Sequence, residues 1–89
     1  MEPKRYIKRP IVIKALQFTG NNREEMFDFT NGVAVFRDNN GHKEIIIPTL
    51  EGEMMAPEGA YIVRGIYGEY YPVQESVFNE TYLEVKDDN

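Results

Sequence analysis

The chain of 89 residues contains no cysteine, no tryptophan and a single histidine, His42. Without cysteine the domain can have no disulfide, no thiolate metal ligand and no cysteine nucleophile. His42 follows directly on a predicted turn and has no companion histidine, so a solvated side chain is favoured over a metal ligand. The sequence therefore predicts neither a metal site nor a cofactor.

The sequence also lacks recognisable arrangements for covalent chemistry. Gly65 and Gly68 are not followed by the lysine of a phosphate-binding loop, and Ser76 has no neighbouring base. Carboxylates in the second half occur at predicted turns without calcium-loop spacing, at Glu51, Glu53, Glu58 and Glu69. We therefore expect a non-enzymatic protein that acts by binding, with a carboxylate-dependent enzyme as the alternative.

Long apolar runs are absent as well. No segment approaches the roughly 18 to 20 apolar residues that a membrane-spanning helix needs. Residues 1–10 lack the apolar stretch of a secretory signal. The sequence predicts a cytoplasmic protein without a membrane partner.

Charge is divided unevenly along the chain, whose net charge is −5. Residues 1–14 carry five basic side chains and one acidic side chain, whereas residues 15–89 carry five basic and fourteen acidic ones. The acidic part disfavours duplex DNA binding, because nucleic-acid affinity comes largely from lysine and arginine at phosphates. Residues 1–9 are interpreted as a basic arm that docks on an acidic body, its own or a neighbour's, with a nucleic-acid arm as the alternative.

The pattern predicts one domain over residues 1–89, with a frayed tail at 86–89. Residues 10–18 are apolar at nearly every position, which is typical of a central strand. A helix of about ten residues is expected after Asn21 or Asn22, ending by Gly32, with Met26 and Phe29 on one face.

Beyond this helix, short strands alternate with turn residues. Strands are predicted at 33–37, 43–48, 60–65, 68–73 and 82–85, and a helical turn at 74–82 with Val77 and Phe78 facing inward. Asp38–Gly41 is a hairpin turn, and Pro48 should end the pairing of its strand or lie at an edge. Met54 and Met55 are interpreted as core-filling residues, with a contact surface as the alternative. The fold class is α+β: a small curled antiparallel sheet or partial barrel, one short helix in the N-terminal half and a C-terminal helical turn.

Four tyrosines within eleven residues form the clearest binding signal. Tyrosine offers rigid contact area, and an arginine among the four can bind phosphate or stack on a base. The alternative is that the tyrosines stabilise the sheet as cross-strand pairs. With two further basic residues, the predicted ligand-binding set is Arg64, Tyr61, Tyr67, Tyr70, Tyr71, Arg37 and Lys43.

Two segments, residues 10–22 and 45–82, carry the motifs QFTG, IPTLEG, YIVRG, GEYYP and FNETY. Together they resemble a widespread group of small proteins encoded by tailed phages and prophages of bacteria, over nearly the whole chain. The resemblance implies a phage gene expressed in the host cytoplasm, and it brings no catalytic residues. Related chains often have a cysteine after the GEYYP motif, where this chain has Val73.

In that setting we expect an accessory protein with an anti-defence role. The first hypothesis is an oligomer that sequesters a nucleotide immune signal between its subunits. The alternatives are an acidic, nucleic-acid-mimicking inhibitor of a host defence protein, which the charge favours, and a minor virion or assembly protein.

Overall fold

The structure is a computed structural model that describes residues 1–86. It contains six strands and two helices, in the order β1 (Lys14–Gln17), α1 (Arg23–Phe29), β2 (Val35–Asn39), β3 (His42–Thr49), β4 (Gly52–Pro57), β5 (Tyr61–Arg64), β6 (Tyr70–Val73) and α2 (Glu75–Thr81). The strands form two antiparallel sheets, a first sheet of order β1-β5-β6 and a second sheet of order β2-β3-β4. The α+β class and the antiparallel pairing are confirmed, but the strands form two three-stranded sheets rather than the single curled sheet of the prediction, and its alternative, a partial barrel, stays a prediction. Of the predicted frayed tail, residues 87–89 lie outside the described residues.

The first strand is shorter and more peripheral than the sequence predicts. β1 begins at Lys14 instead of residue 10, and it lies at an edge of the first sheet, so the prediction of a central strand is wrong. Its only strand neighbour among residues 1–86 is β5, which has four residues and therefore pairs with only four, from Lys14 opposite Arg64 to Gln17 opposite Tyr61. Residues 10–12 remain exposed and unpaired within the described chain.

Helix α1 has seven residues rather than about ten. Asn22 precedes it, but its side chain holds the preceding loop instead of capping the helix: Nδ2 donates to the Gln17 carbonyl at 2.8 Å, and Oδ1 accepts from the Thr19 amide at 3.0 Å. Met26 is fully buried, as expected for the inner face. At the other end, the Thr30 hydroxyl donates to the Met26 carbonyl at 3.0 Å, and the chain leaves the helix there.

The predicted hairpin turn is confirmed. Asn40 and Gly41 have φ of 54° and 86°, which is the pair of positive angles that the tightest hairpin turns require. Pro48 lies inside β3, opposite Glu53 of β4, but pairing with β2 ends at Ile46. Pro48 therefore has a strand neighbour on one side only, as expected for a proline at the edge of a sheet.

The core lies between the two sheets and beneath α1. Its largest members have almost no exposed surface and are Phe18, Met26, Ile45, Ile47 and Ile62. The chain is extended at Phe18, whose amide donates to the Ala60 carbonyl at 2.8 Å and whose carbonyl accepts from Gly59 at 2.7 Å. The Phe18 and Phe36 rings lie 6.0 Å apart, so this residue connects the first sheet to the second.

Three smaller expectations are wrong. Met54 and Met55 are 41% and 51% exposed, because burial in β4 is confined to Ala56. Val77 is exposed whereas its neighbour Phe78 packs inward, since adjacent helical residues point about 100° apart. Residues 82–85 form no strand, and Tyr82 instead stacks on Phe78.

Helix length and hydropathy bear on membrane insertion. Within residues 1–86, neither helix has the length and apolar character to cross a bilayer.

Candidate functional site

Strand register separates the predicted tyrosine and arginine patch. Opposite partners in a sheet share a face, and faces alternate along each strand. Tyr61 and Tyr71 therefore lie on the outer face of the first sheet, toward α2, whereas Arg64 and Tyr70 lie on the inner face, toward the core. Tyr67 is in the turn between β5 and β6 and is 87% exposed. These five residues point in three directions.

Arg64 binds the end of α1. Its Nη2 donates to the Phe29 carbonyl at 3.1 Å, and its guanidinium lies 5.4 Å from the Phe29 ring centroid and 5.5 Å from that of Tyr70. The Tyr70 hydroxyl in turn accepts from Asn31 Nδ2 at 2.9 Å. A basic side chain at a helix C-terminus satisfies terminal carbonyls and interacts favourably with the helix dipole. These contacts give Arg64 a part in holding the fold together.

An aromatic column lies on the outer face of the first sheet and consists of Tyr61, Phe78 and Tyr82. The Tyr61 and Phe78 rings are stacked at 3.8 Å, the Phe78 and Tyr82 rings at 4.7 Å, and Lys8 Nζ lies 5.6 Å from the Tyr82 centroid. Phe78 and Tyr82 were not among the predicted site residues. Phe78 lies on α2 and Tyr82 directly follows its last residue, and this spacing of four is the sequence signal that places them side by side.

The Tyr71 hydroxyl is a titratable group that contacts Tyr82 of this column. Burial, the hydrogen bond with Tyr82 and the nearby charges of Tyr82 and Glu69 raise the pKa of Tyr71 above 10.0. Because the folded pKa exceeds the unfolded one, this stabilisation is complete below about pH 10 and is lost as pH rises through the folded pKa.

We therefore expect Tyr71→Phe to reduce the loss of stability above about pH 10. The measurement is the free energy of unfolding in urea at about pH 8 and about pH 11, with the exposed Tyr6→Phe as the matched control. A Tyr71→Phe variant that loses as much stability over this interval as Tyr6→Phe would contradict the assignment.

The two remaining predicted residues lie on the second sheet. Arg37 is opposite Glu44 and faces outward, whereas Lys43 is opposite Asp38 on the other face. Lys43 Nζ donates to Asn21 Oδ1 at 3.0 Å. The seven predicted residues thus do not form one surface within a single chain.

Two shallow clefts flank α1. The larger has a volume of about 630 Å³ and includes Arg23, Glu24, Glu25, Asp38 and Lys43 among its lining residues. The smaller has a volume of about 430 Å³ and is lined by Arg23, Glu24, Phe27, Asp28 and Phe36. We use the term α1 face for the surface formed by Glu24, Glu25, Phe27, Asp28 and Asp38. Phe27 is 49% exposed and shares the smaller cleft with two of these carboxylates, Glu24 and Asp28, and with the cation of Arg23.

Exposed charge is mostly negative on residues 15–86. Eleven carboxylates are exposed, at Glu24, Glu25, Asp28, Asp38, Glu51, Glu53, Glu58, Glu69, Glu75, Glu80 and Glu84. Three cations are exposed, at Arg23, Arg37 and Lys86, while Lys43 and Arg64 are half-buried. Within residues 1–86, no three histidine, aspartate or glutamate side chains are grouped closely enough to hold a metal ion. The surface therefore offers negative charge for binding.

The comparisons with known proteins identify no relative of this chain. No family model, no curated protein and no solved structure matches the chain. The resemblance to tailed-phage proteins stays a prediction from the sequence motifs.

Proposed function

We propose that this domain is a non-enzymatic phage accessory protein that binds and blocks a basic host protein with a role in defence. The observation that carries the proposal is the excess of eleven exposed carboxylates over three exposed cations on residues 15–86. Such a surface attracts proteins whose own basic patches bind nucleic acid, and it repels nucleic acid itself. The phage setting comes from the sequence motifs.

The α1 face is the part of this surface best suited to a specific contact. Protein interfaces are dominated by a few large anchors, often aromatic, that are surrounded by groups that exclude water. Phe27 provides such an anchor, and Glu24 and Asp28 of the same helix line its cleft together with Arg23. Charge complementarity would steer a basic partner to this face, and burial of Phe27 would slow its release.

Neutralising α1 should remove binding without unfolding the protein. We expect the triple variant E24Q/E25Q/D28N to retain at least about tenfold less of a basic host protein than the wild type, because three charges at the contact are lost. The measurement is retention from host lysate at low and at high salt, followed by repetition with the purified partner.

The matched control is E51Q/E80Q/E84Q, which removes three exposed carboxylates from other elements. It should retain the partner nearly as well as the wild type does. Equal losses in the two triple variants would mean that only total charge matters, and no loss in either would contradict binding through α1.

Phe27→Ala should also weaken binding at least about tenfold, while the protein stays folded, because the anchor side chain is exposed rather than in the core. Val77→Ala is the matched control, since Val77 is exposed to a similar degree, 47%, on the other helix. If Phe27→Ala and Val77→Ala weakened binding equally, Phe27 would not be the anchor of the interface.

A second candidate is sequestration of a nucleotide signal, which the larger cleft favours. Arg23 and Lys43 line it, and about 630 Å³ is within the usual range for a small-molecule site. Its carboxylates oppose a phosphate group. Incubation with cyclic and linear signalling nucleotides, followed by heat denaturation, tests this candidate. Intact nucleotide in the supernatant supports it, and absence of retained nucleotide contradicts it.

A further inference from the structure

The N-terminal arm is apolar as well as basic, and its side chains are exposed although Lys8 lies beside Tyr82 of the body. Residues 1–12 are all exposed, including Tyr6 at 88% and Ile7 at 93%. The radius of gyration is 14.8 Å, against about 12 Å for a compact chain of this length. A segment that served only as a solvated linker would not need large apolar side chains. The composition of the arm therefore indicates a surface on which it docks.

Strand β4 presents such a surface. Among residues 1–86 it has a strand partner on one side only, which is β3. Its first four residues, 52–55, are exposed, and the adjacent Met54 and Met55 lie on opposite faces of the second sheet. An exposed edge with unpaired backbone amides and carbonyls readily accepts a further strand.

The arm matches this edge in length and in side chains. Pro3 and Pro10 limit the segment that can pair to the six residues 4–9, and β4 also has six residues, of which Pro57 has no N–H to donate. When the two are aligned end to end as antiparallel strands, Tyr6 falls opposite Met55 and Ile7 opposite Met54.

The same alignment places Lys8 opposite Glu53. Apolar pairs on both faces and an opposite charge pair are the cross-strand contacts that stabilise antiparallel sheets. A shift of the arm by one residue would put each side chain on the other face and separate all three pairs.

We propose that residues 4–9 of one copy add to β4 of a second copy as an antiparallel strand. The β4 strand of the same chain is the less suitable acceptor. Lys8 lies beside Tyr82 on the outer face of the first sheet. The second sheet, which contains β4, packs against the inner face of the first sheet and is therefore on the opposite side from Lys8. Reciprocal exchange of the two arms gives a two-fold symmetric dimer. This inference does not depend on the proposed function, and its test uses the protein alone.

The absence of native cysteine makes cross-linking a clean test. Lys8→Cys and Glu53→Cys are prepared as separate proteins, mixed and oxidised, and the covalent dimer is followed on a non-reducing gel. We expect it to form at least about tenfold faster than from Lys8→Cys mixed with Glu69→Cys, because docking raises the effective concentration of the paired thiols. Glu69 is exposed at the β5–β6 turn and provides the matched control. Equal rates for the two mixtures would overturn the proposal.

A double variant with both cysteines in one chain distinguishes an arm that docks on a second copy from an arm that docks on its own chain. Covalent dimers linked by two disulfides support exchange between copies, whereas a monomer with an internal disulfide overturns it. Sedimentation equilibrium provides a test without cysteine. Glu53→Lys should weaken the dimer at least about tenfold, and the swapped pair Lys8→Glu with Glu53→Lys should restore it. A Glu53→Lys protein that dimerises as the wild type does would also overturn the proposal.

Discussion

Phe18→Ala is expected to lower the free energy of unfolding by about 4 kcal/mol, within the range for large aromatic residues removed from a core. Phe18 is 1% exposed, lies at the end of β1 and contacts the ring of Phe36 across the core. Its removal would leave a cavity where the first sheet meets the second. In a domain of this size, such a loss is a large part of the total stability.

Urea unfolding measures the loss, and Phe27→Ala is the matched control because it removes the same side chain from an exposed position. The control should cost about 1 kcal/mol or less. Similar losses from the two substitutions would mean that Phe18 is not the residue that connects the sheets.

Arg64→Ala is expected to cost about 2 kcal/mol, or roughly 10 °C in Tm. The substitution removes the hydrogen bond to the Phe29 carbonyl and the contacts of the guanidinium with two aromatic rings. It would therefore loosen the end of α1 from β5 and β6. No ligand is needed for this effect.

The measurement is thermal and urea unfolding of Arg64→Ala beside Arg64→Lys. Lysine keeps the charge but loses the planar donor group, so we expect an intermediate loss. If Arg64→Ala were as stable as the wild type, the side chain would be free for another role, and the predicted phosphate contact would regain support.

Local features of the fold were the ones that the sequence could predict. The pair Asn40 and Gly41 determines its turn through backbone angles alone, and Met26 follows from the apolar spacing in α1. Strand alternation alone places Tyr61 with Val63 on one face of β5 and Ile62 with Arg64 on the other, which is the arrangement in the sheet. Each of these features depends on residues close together in the chain.

Features that depend on distant partners were not predictable. The apolar run 10–18 reads as a central strand, but its pairing is limited by the four residues of β5, some fifty positions away. The tyrosines are close in sequence, but which residues of β5 and β6 share a face depends on the register, which pairs Val63 with Tyr71 and Arg64 with Tyr70. The contact of Arg64 with the Phe29 carbonyl depends on where α1 ends, and the composition of the chain does not reveal that position.

The sequence predicted that the candidate site would be acidic, but not where on the fold it would lie. The sequence shows that residues 15–89 are acidic, and this led to the hypothesis of an acidic inhibitor. It does not show that Phe27 lies half-exposed in a cleft beside Phe36, because Phe36 belongs to β2 and its place beside α1 depends on tertiary packing. The α1 face therefore became visible only in the structure.

Calorimetric titration of the retained host protein with the wild type and with E24Q/E25Q/D28N tests binding through the α1 face most directly. We predict saturation at a fixed ratio of chains, an affinity that falls steeply with salt, and binding at least about tenfold weaker for the triple variant. Equal affinities for the two proteins, or chemical alteration of the partner by a small fraction of an equivalent, would contradict the proposal.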